Sequence, residues 1–337
     1  MTRTARSLST AAFATLAFAV TFTAARPSAQ FAGRGAAAAP QTLEQRIAHT
    51  SKTGYPARGG AVHGGANSMG FGQLFGSGTF GPHFNFMHRG EIPPGAGIGH
   101  HFHNTADEMF VILNGEAQFT IDGRTALVKG PVGVVCKAGH SHAVYNASNE
   151  TLQWINFQVT VNAGISDAFD LGDDRVGAAL DKVPTFVTSR LDRDLIGGGG
   201  RGRGRGAAAP AAPPAPQPVA TRRSADPSIF GSPWAYLDQM LIQPGAETPA
   251  KTHDTIAEAY YVLAGSGTVT IGTETAPFGK WDAIPVRLGE TSTFKNTGTE
   301  PLEMIIYGVA KDMDSKLAMM RAGRGGGRAA APPPAAQ

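Results

Sequence analysis

Seven of the ten histidines in this 337-residue chain fall between His83 and His142, a crowding of imidazoles that is the first sign of chemistry. Imidazole nitrogen binds divalent transition metals or moves protons near neutral pH. Side chains alternate in direction along an extended strand, so His101 and His103 point to one face while His100 and Phe102 point to the other. Two imidazoles on one face make half of a metal site. Glu108 lies at odd spacing from His103 and would face the wrong way on a continuous strand, but the interruption Asn104, Thr105, Ala106, Asp107 can reset the direction. His142, just after Gly139, brings a third imidazole if its strand lies beside the first. Four ligands of mixed nitrogen and oxygen would leave one or two positions open on an octahedral ion, as catalysis needs and a structural zinc site avoids.

Other polar residues could serve the same site. His140 shares the alternation of His142, and His88 and Arg89 lie on the run leading into the cluster, where one of the two must point inward. The candidates for proton transfer are Glu108, His88 and His140. His100 should face away from the ion. Cys136, the only cysteine, sits in an apolar run and reads as an inert packed thiol, so no intramolecular disulfide is available.

The elements that must hold these residues are short strands. Phe84 to Ile92, Glu108 to Leu113, Ala117 to Ile121, Gly133 to Cys136 and Leu152 to Val161 are alternating or β-branched runs broken by glycine and proline, as in an all-β barrel or sandwich. Helix is expected only at Leu43 to His49, near Arg175 to Leu180 and at Met313 to Met320. The block also repeats itself at a spacing of 150 residues. Ile92, Pro94, Gly95 and Ala96 recur as Ile242, Pro244, Gly245 and Ala246, and His103, Glu108, Leu113 and Gly115 as His253, Glu258, Leu263 and Gly265. Gly139, Asn146 and Glu150 likewise match Gly289, Asn296 and Glu300. A repeat this long is a duplicated domain. At the same spacing His101 becomes Lys251 and His142 becomes Ser292, so the second site is expected to be a metal-free scaffold. A pocket for an acidic ligand on Lys251, His253 and Glu258 is the alternative.

Composition sets the outer limits. The net charge is +3, but Arg201, Arg203, Arg205, Arg222, Arg223, Arg321, Arg324 and Arg328 lie in low-complexity segments, so charge gives no argument for a nucleic-acid partner. Residues 1–30 read as an export signal, with Arg3 and Arg6 ahead of the apolar run Ala11 to Phe22. The expected location is periplasmic or extracellular, with no integral membrane segment, since that run is too short to span a bilayer and none later is long enough. The expected organisation continues with a poorly ordered lead-in carrying a short helix (31–60), a first barrel (61–190), a Gly/Arg/Ala/Pro-rich linker (191–226), a second barrel (227–312), and a short helix with a disordered tail (313–337).

Gly95, five residues, His101-Phe102-His103, four residues, Glu108, six residues and Gly115 together resemble the first motif of the cupins, and Gly139, two residues, His142, three residues and Asn146 the core of the second. Lys137 stands where that family usually has proline. The resemblance implies two conical antiparallel jelly-roll barrels, a bicupin, with one divalent metal (Mn, Fe, Ni, Cu, Co or Zn) on His101, His103, Glu108 and His142. It further implies a small-molecule substrate and leaves a homo-oligomer open. Oxidative, dioxygenase-like chemistry on a small oxygen-rich molecule is the leading expectation. A metal-dependent sugar isomerase, epimerase or lyase is the second, and a non-catalytic binder of metal or small ligand the third.

Overall fold

The structure is a computed structural model that describes residues 41–50, 55, 61–197 and 217–325. The expected export signal lies outside the described residues, as do 198–216 of the linker and 326–337 of the tail.

Each repeat folds as two sheets closed over an apolar interior, antiparallel except where Leu180–Asp181 runs parallel to Arg124–Lys129. In the first, Gly70–Phe75, Phe84–Ile92, Leu152–Thr160, Ala106–Ile112, Val132–Cys136 and Thr188–Arg190 form one sheet in that order. Phe169–Asp170, Gly97–His103, His140–Tyr145, Glu116–Ile121, Arg124–Lys129 and Leu180–Asp181 form the other. Between them Phe110, Ile112, Phe119, Val134, Val144 and Trp154 pack as a core, each within 4% of complete burial. The second repeat has the order Val219–Ala225, Trp234–Ile242, Leu302–Ala310, Ile256–Ala264, Ala283–Val286, opposed by Lys251–Thr252, Thr291–Asn296, Ser266–Ile271, Glu274–Gly279.

The residues shared by the repeats have structural reasons. Gly139 and Gly289 hold φ of 83° and 80°, a left-handed turn that favours glycine, and their N–H groups donate to the carbonyls of His103 and His253, both at 2.8 Å. Asn146 donates to the carbonyls of Ile92 and Glu150, and Asn296 repeats this with Ile242 and Glu300. The paired motif asparagine is thus a buried brace between turns and no part of the site.

One continuous core joins the two repeats. Met87, Met109, Ile155 and Phe157 of the first pack with Trp234, Leu237, Ala259 and Tyr307 of the second. Phe157 stacks on Tyr307 at 4.4 Å and 11°, and lies 4.9 Å from Trp234. Polar ties cross the same boundary. Ser232 N–H donates to Asp107 at 2.6 Å, and Arg89 Nε donates to the Tyr261 hydroxyl at 3.0 Å.

Three expectations are corrected. Residues 41–50 of the lead-in are built in: Leu43–Arg46 is a helix closed by a Thr42/Gln45 capping box, and Leu43 and Ile47 are buried against the second repeat. Ala48 bridges Ala283 of that repeat. No helix forms at Arg175 to Leu180, because Arg175 sits at φ 58° and Asp173 and Asp174 accept from the backbone N–H groups two residues on, which favours turns. Finally, Val219–Ala225 of the expected linker is a full edge strand of the second repeat, with Ala220 and Ala225 buried and Arg223 paired to Asp238. Its arginines resemble those of the low-complexity run, but Arg223 pairs with Asp238 while Arg222, on the opposite face, donates to the Arg190 carbonyl and the buried Gln239 side chain. The last helix, Met313–Gly325, is tied down by Lys316, whose ammonium donates to the carbonyls of Phe230 and Ser232, both at 2.7 Å.

Since Trp234 is fully buried where the two cores meet, Trp234→Ala should cost about 3–5 kcal/mol of folding stability. Denaturant unfolding followed by far-UV circular dichroism should show a single transition at a lower midpoint. Two separate transitions in the wild type would mean that the repeats fold independently.

Candidate metal centre

His101, His103, Glu108 and His142 come together at the centre of the first repeat. The strand Gly97–His103 pairs antiparallel with His140–Tyr145 so that His101 lies directly opposite His142, and a bulge after Ile98 sets that register. Glu108 enters from the facing sheet, on Ala106–Ile112. One donor atom from each of the four residues can be chosen so that all lie within 4.8 Å of one another. The ring centroids of His101 are 4.2 Å from His142 and 4.9 Å from His103. All four residues are buried, at 3% exposure or less.

The surroundings orient these donors. His101 Nδ1 is 2.8 Å from the Gly99 carbonyl and His103 Nδ1 is 2.5 Å from the Asp167 carbonyl, so each ring turns Nε2 inward. Glu108 Oε1 accepts from Asn156 at 2.5 Å and Oε2 from Gln158 at 2.9 Å. His103 Nε2 stands 2.7 Å from Glu108 Oε2 without hydrogen-bond angles, and His142 Nε2 stands 3.6 Å away. Both Nε2 atoms, together with His142 Nδ1, are buried and lack a hydrogen-bond partner. Orphaned imidazole nitrogens converging on a carboxylate are costly unless a cation satisfies them, so the residues fit a metal ion.

Three of the four protonation states agree. Burial, aided by His142, pushes His101 down to about 2, and burial also lowers His142. At His103 burial is outweighed by the neighbouring Glu108, which raises it. Burial alone would raise Glu108, but His103 and His142 together hold it well below the usual carboxylate range. His101, His142 and Glu108 are therefore held in the forms that ligate, whereas His103 would release a proton on binding an ion.

A cavity of about 280 Å³ opens beside these residues. Its wall is largely apolar, with Met69, Phe71, Phe86, Ile98, Phe110 and Trp154 on it. His88 lies on this wall, stacked on Phe86 at 4.2 Å and 3°. Arg89, its neighbour, points the other way, into the junction of the two repeats. His140 is a correction: it does not line the cavity but stands at the rim, 42% exposed, with Nδ1 2.6 Å from Asp122 of the adjacent hairpin turn. His100 faces away from the centre, with Nε2 2.8 Å from the Ser141 hydroxyl. Cys136 is buried, and burial pushes its thiol up.

Several site residues were not singled out from the sequence. Asn156 and Gln158 alternate with Trp154 on one strand, and polar residues at every second position of an otherwise apolar run were a signal of a buried polar partner. Asp167 and His63 lie outside the motif, and nothing in their spacing points to the site. His63 lines the cavity, its ring stacked on His101 at 3.8 Å and 13°.

In the second repeat the corresponding carboxylate, Glu258, is served differently. The Lys251 ammonium is 2.6 Å from Oε1, the Tyr236 hydroxyl donates to the same oxygen, and the Tyr260 hydroxyl donates to Oε2 at 2.5 Å. His253 turns to the Ser292 hydroxyl at 3.1 Å. Gly308 stands where the first repeat has Gln158, and a Cβ there would come within 2.6 Å of the Tyr236 ring. The tyrosine therefore occupies space that the glutamine side chain fills in the other repeat. Burial would raise Glu258, yet Lys251, with Tyr236 and Tyr260, holds it below its ordinary value.

The cupin domain family matches residues 88–158 and 239–308, one match in each repeat. Each repeat thus carries a cupin domain. It is 35% identical over 69 residues to an oxalate-binding protein of Thermotoga maritima, a stretch that is 20% of this chain. It spans 55% of that relative's length. Among solved structures it is similar to a deletion mutant of Bacillus subtilis oxalate decarboxylase, at 16% identity and TM-score 0.53, covering 81% of this chain and 79% of that one. It is also similar to a mutant salicylate 1,2-dioxygenase from Pseudoaminobacter salicylatoxidans in complex with gentisate, at 14% identity and TM-score 0.52, covering 72% and 71%. At such identities these likenesses speak for the fold.

Because the Tyr260 hydroxyl is fully enclosed against Glu258, Tyr260→Phe should lower stability by about 2 kcal/mol, the usual range for a hydrogen bond to a charged group. The metal content of the protein should not change. A denaturant titration beside elemental analysis reads both, and loss of bound metal in this variant would tie the second site to the first.

Proposed function

We propose that the first barrel is the site of a metal-dependent oxidoreductase, dioxygenase-like in its chemistry, acting on a small oxygen-bearing molecule. The observation that carries this reading is the convergence of three imidazoles and one carboxylate beside a largely apolar cavity that His101, His103 and Glu108 line. His101, His103, Glu108 and His142 would hold a single divalent ion, and the second barrel none, since Lys251 already neutralises Glu258. A redox-active ion such as iron or manganese supplies Lewis acidity and one-electron steps with dioxygen. The likeness to salicylate dioxygenase and oxalate decarboxylase supports a small-molecule enzyme. Among the described residues no helix is long and apolar enough to cross a membrane. The reading of residues 1–30 as an export signal supports a periplasmic or extracellular location.

The chain's own residues set the conditions for the reaction. Three imidazoles and one carboxylate would leave a bound divalent ion with net positive charge, and the apolar wall would keep water from it, which favours binding of an oxygen-bearing ligand. Met69, Phe71, Phe86 and Phe110 exclude water and favour a substrate with an apolar body over a polyhydroxylated sugar. Glu108, with both oxygens held by amides, is fixed as a ligand; swinging away to take a proton would break two hydrogen bonds. The proton acceptor is therefore better sought on the cavity wall, where His88 stands.

Elemental analysis of purified protein should find one transition-metal ion per chain, and His101→Ala should abolish it. Two tightly held ions would contradict an empty second barrel. A substrate screen should give turnover in air that stops under anaerobic conditions; equal turnover without oxygen would favour the isomerase, epimerase or lyase reading.

Glu108→Gln puts an amide where Asn156 and Gln158 donate. It should weaken metal binding by about 10- to 100-fold, read by competition with a chelator. Unchanged affinity would mean that Glu108 is not a ligand.

A further inference from the structure

We propose that His63 is a substrate-contacting residue of this cavity, offering its ring edge to a hydroxyl of an uncharged, ring-shaped substrate. The inference rests on the metal-centre reading of the same cavity. His63 belongs to a loop laid directly on the ligand-bearing strand. Gly99 N–H donates to the Val62 carbonyl at 3.0 Å and Gly97 N–H to the Ala66 carbonyl at 2.8 Å. The approach is so close that a Cβ on Gly99 would lie 2.0 Å from the His63 carbonyl oxygen, and one on Gly65 would lie 2.5 Å from that of Gly97. Only glycine at these positions lets the loop come down, and its effect is to press the His63 ring flat on that of His101. His63 itself takes φ 51°, which is uncommon for a residue with a side chain.

A second contact fixes the ring within that plane. Nδ1 lies 2.6 Å from Asp170 Oδ1, and Asp170 is carried by the short strand Phe169–Asp170, paired to the ligand strand with Asp170 opposite His101. Stacking on one side and a carboxylate on one nitrogen leave Nε2 without a partner among the described residues, on a ring that lines the cavity and is 31% exposed. A residue so fixed, with one polar edge unused, is placed to meet a ligand.

The chemistry of the ligand follows from the rest of the wall. Among the described residues lining the cavity there is no arginine or lysine, whereas Asp167 and Glu108 are acidic. The charge of the ion would be partly offset by Glu108, and beyond the ion an anionic group would find no cationic side chain there apart from the histidines. A hydroxyl both donates and accepts, so it suits Nε2 in either tautomer. Phe71, Phe86 and Phe110 offer faces to a flat apolar body, and a cavity of about 280 Å³ takes a molecule of roughly one ring.

The test uses metal-loaded full-length protein with catechol as probe and its dimethyl ether as a probe of the same body without hydroxyls. Binding is measured by calorimetry and metal by elemental analysis. Wild type should bind catechol more tightly than the ether or benzoate. His63→Phe keeps a ring on His101 and should weaken catechol about five- to tenfold, the value of one hydrogen bond, with metal content and ether binding unchanged. His63→Gln, which keeps a polar end, should recover part of the loss. Several results would overturn the proposal: no catechol binding by metal-loaded wild type, preference for benzoate, undiminished catechol affinity in metal-loaded His63→Phe, or equal loss for both probes. Wild type that holds no metal would instead refute the metal-centre reading on which it stands.

Discussion

A carboxylate enclosed in an apolar barrel is costly unless cations and hydrogen-bond donors are brought to it, and each half of this protein is organised around one. In the first barrel Glu108 receives two amides and faces three imidazoles, two of which keep an unsatisfied inward nitrogen. In the second, Glu258 receives an ammonium and two phenolic hydroxyls. The same position in the same fold is thus balanced once by a set that asks for an external cation and once by a cation that is part of the chain. Lys251 and the two tyrosines come together with Gly308, which makes room for one of the rings. The depletion of the second site is therefore a repacking in which several residues fit each other, not the loss of single ligands.

The second barrel still shapes the first site, through the strand Leu152–Thr160. Its alternate residues Trp154, Asn156 and Gln158 face the cavity, while Ile155, Phe157 and Val159 belong to the core shared with the other repeat. Arg89 reinforces this from the side, donating to the Tyr261 hydroxyl and, at 3.2 Å, to the Trp154 carbonyl. The two amides that hold Glu108 thus stand on a strand whose far face is packed by Trp234 and Tyr307. Dense packing transmits position well, so a barrel without metal ligands can hold the geometry of one that has them.

Much of this was legible in the residues. The 150-residue repeat and the strand Phe84–Ile92 could be read directly, because period-two alternation and turn glycines are local signals. His101 and His103 on one face followed from the same period, and His142 from the register it required. His140 obeyed that alternation too, yet Asp122, in a hairpin turn remote in sequence, holds it at the rim. At Arg175 the expected helix gives way to a turn held by Asp173 and Asp174, a local signal that stands just ahead of the segment. Val219–Ala225 reads as linker because a strand that carries two arginines looks, by composition, like the arginine-rich run before it. For His140 and for Val219–Ala225 the deciding partner lies outside the window that a local reading can use.

The division between legible and hidden residues follows the architecture. The four candidate ligands, the two amides and His88 all fall within residues 88–158, the part matched by the family. Beyond it lie His63, on the loop laid over Gly97 and Gly99, and the segment that supplies Ser166, Asp167 and Asp170. These two additions meet over the mouth of the cavity through the His63–Asp170 contact, and Asp167 reaches back to orient His103. The barrel thus provides the candidate metal donors, and segments added to its edge provide the outer wall of the cavity. A fold built this way can keep one metal chemistry while its mouth is rebuilt, which is why membership of the family says more about the ligands than about the molecule they act upon.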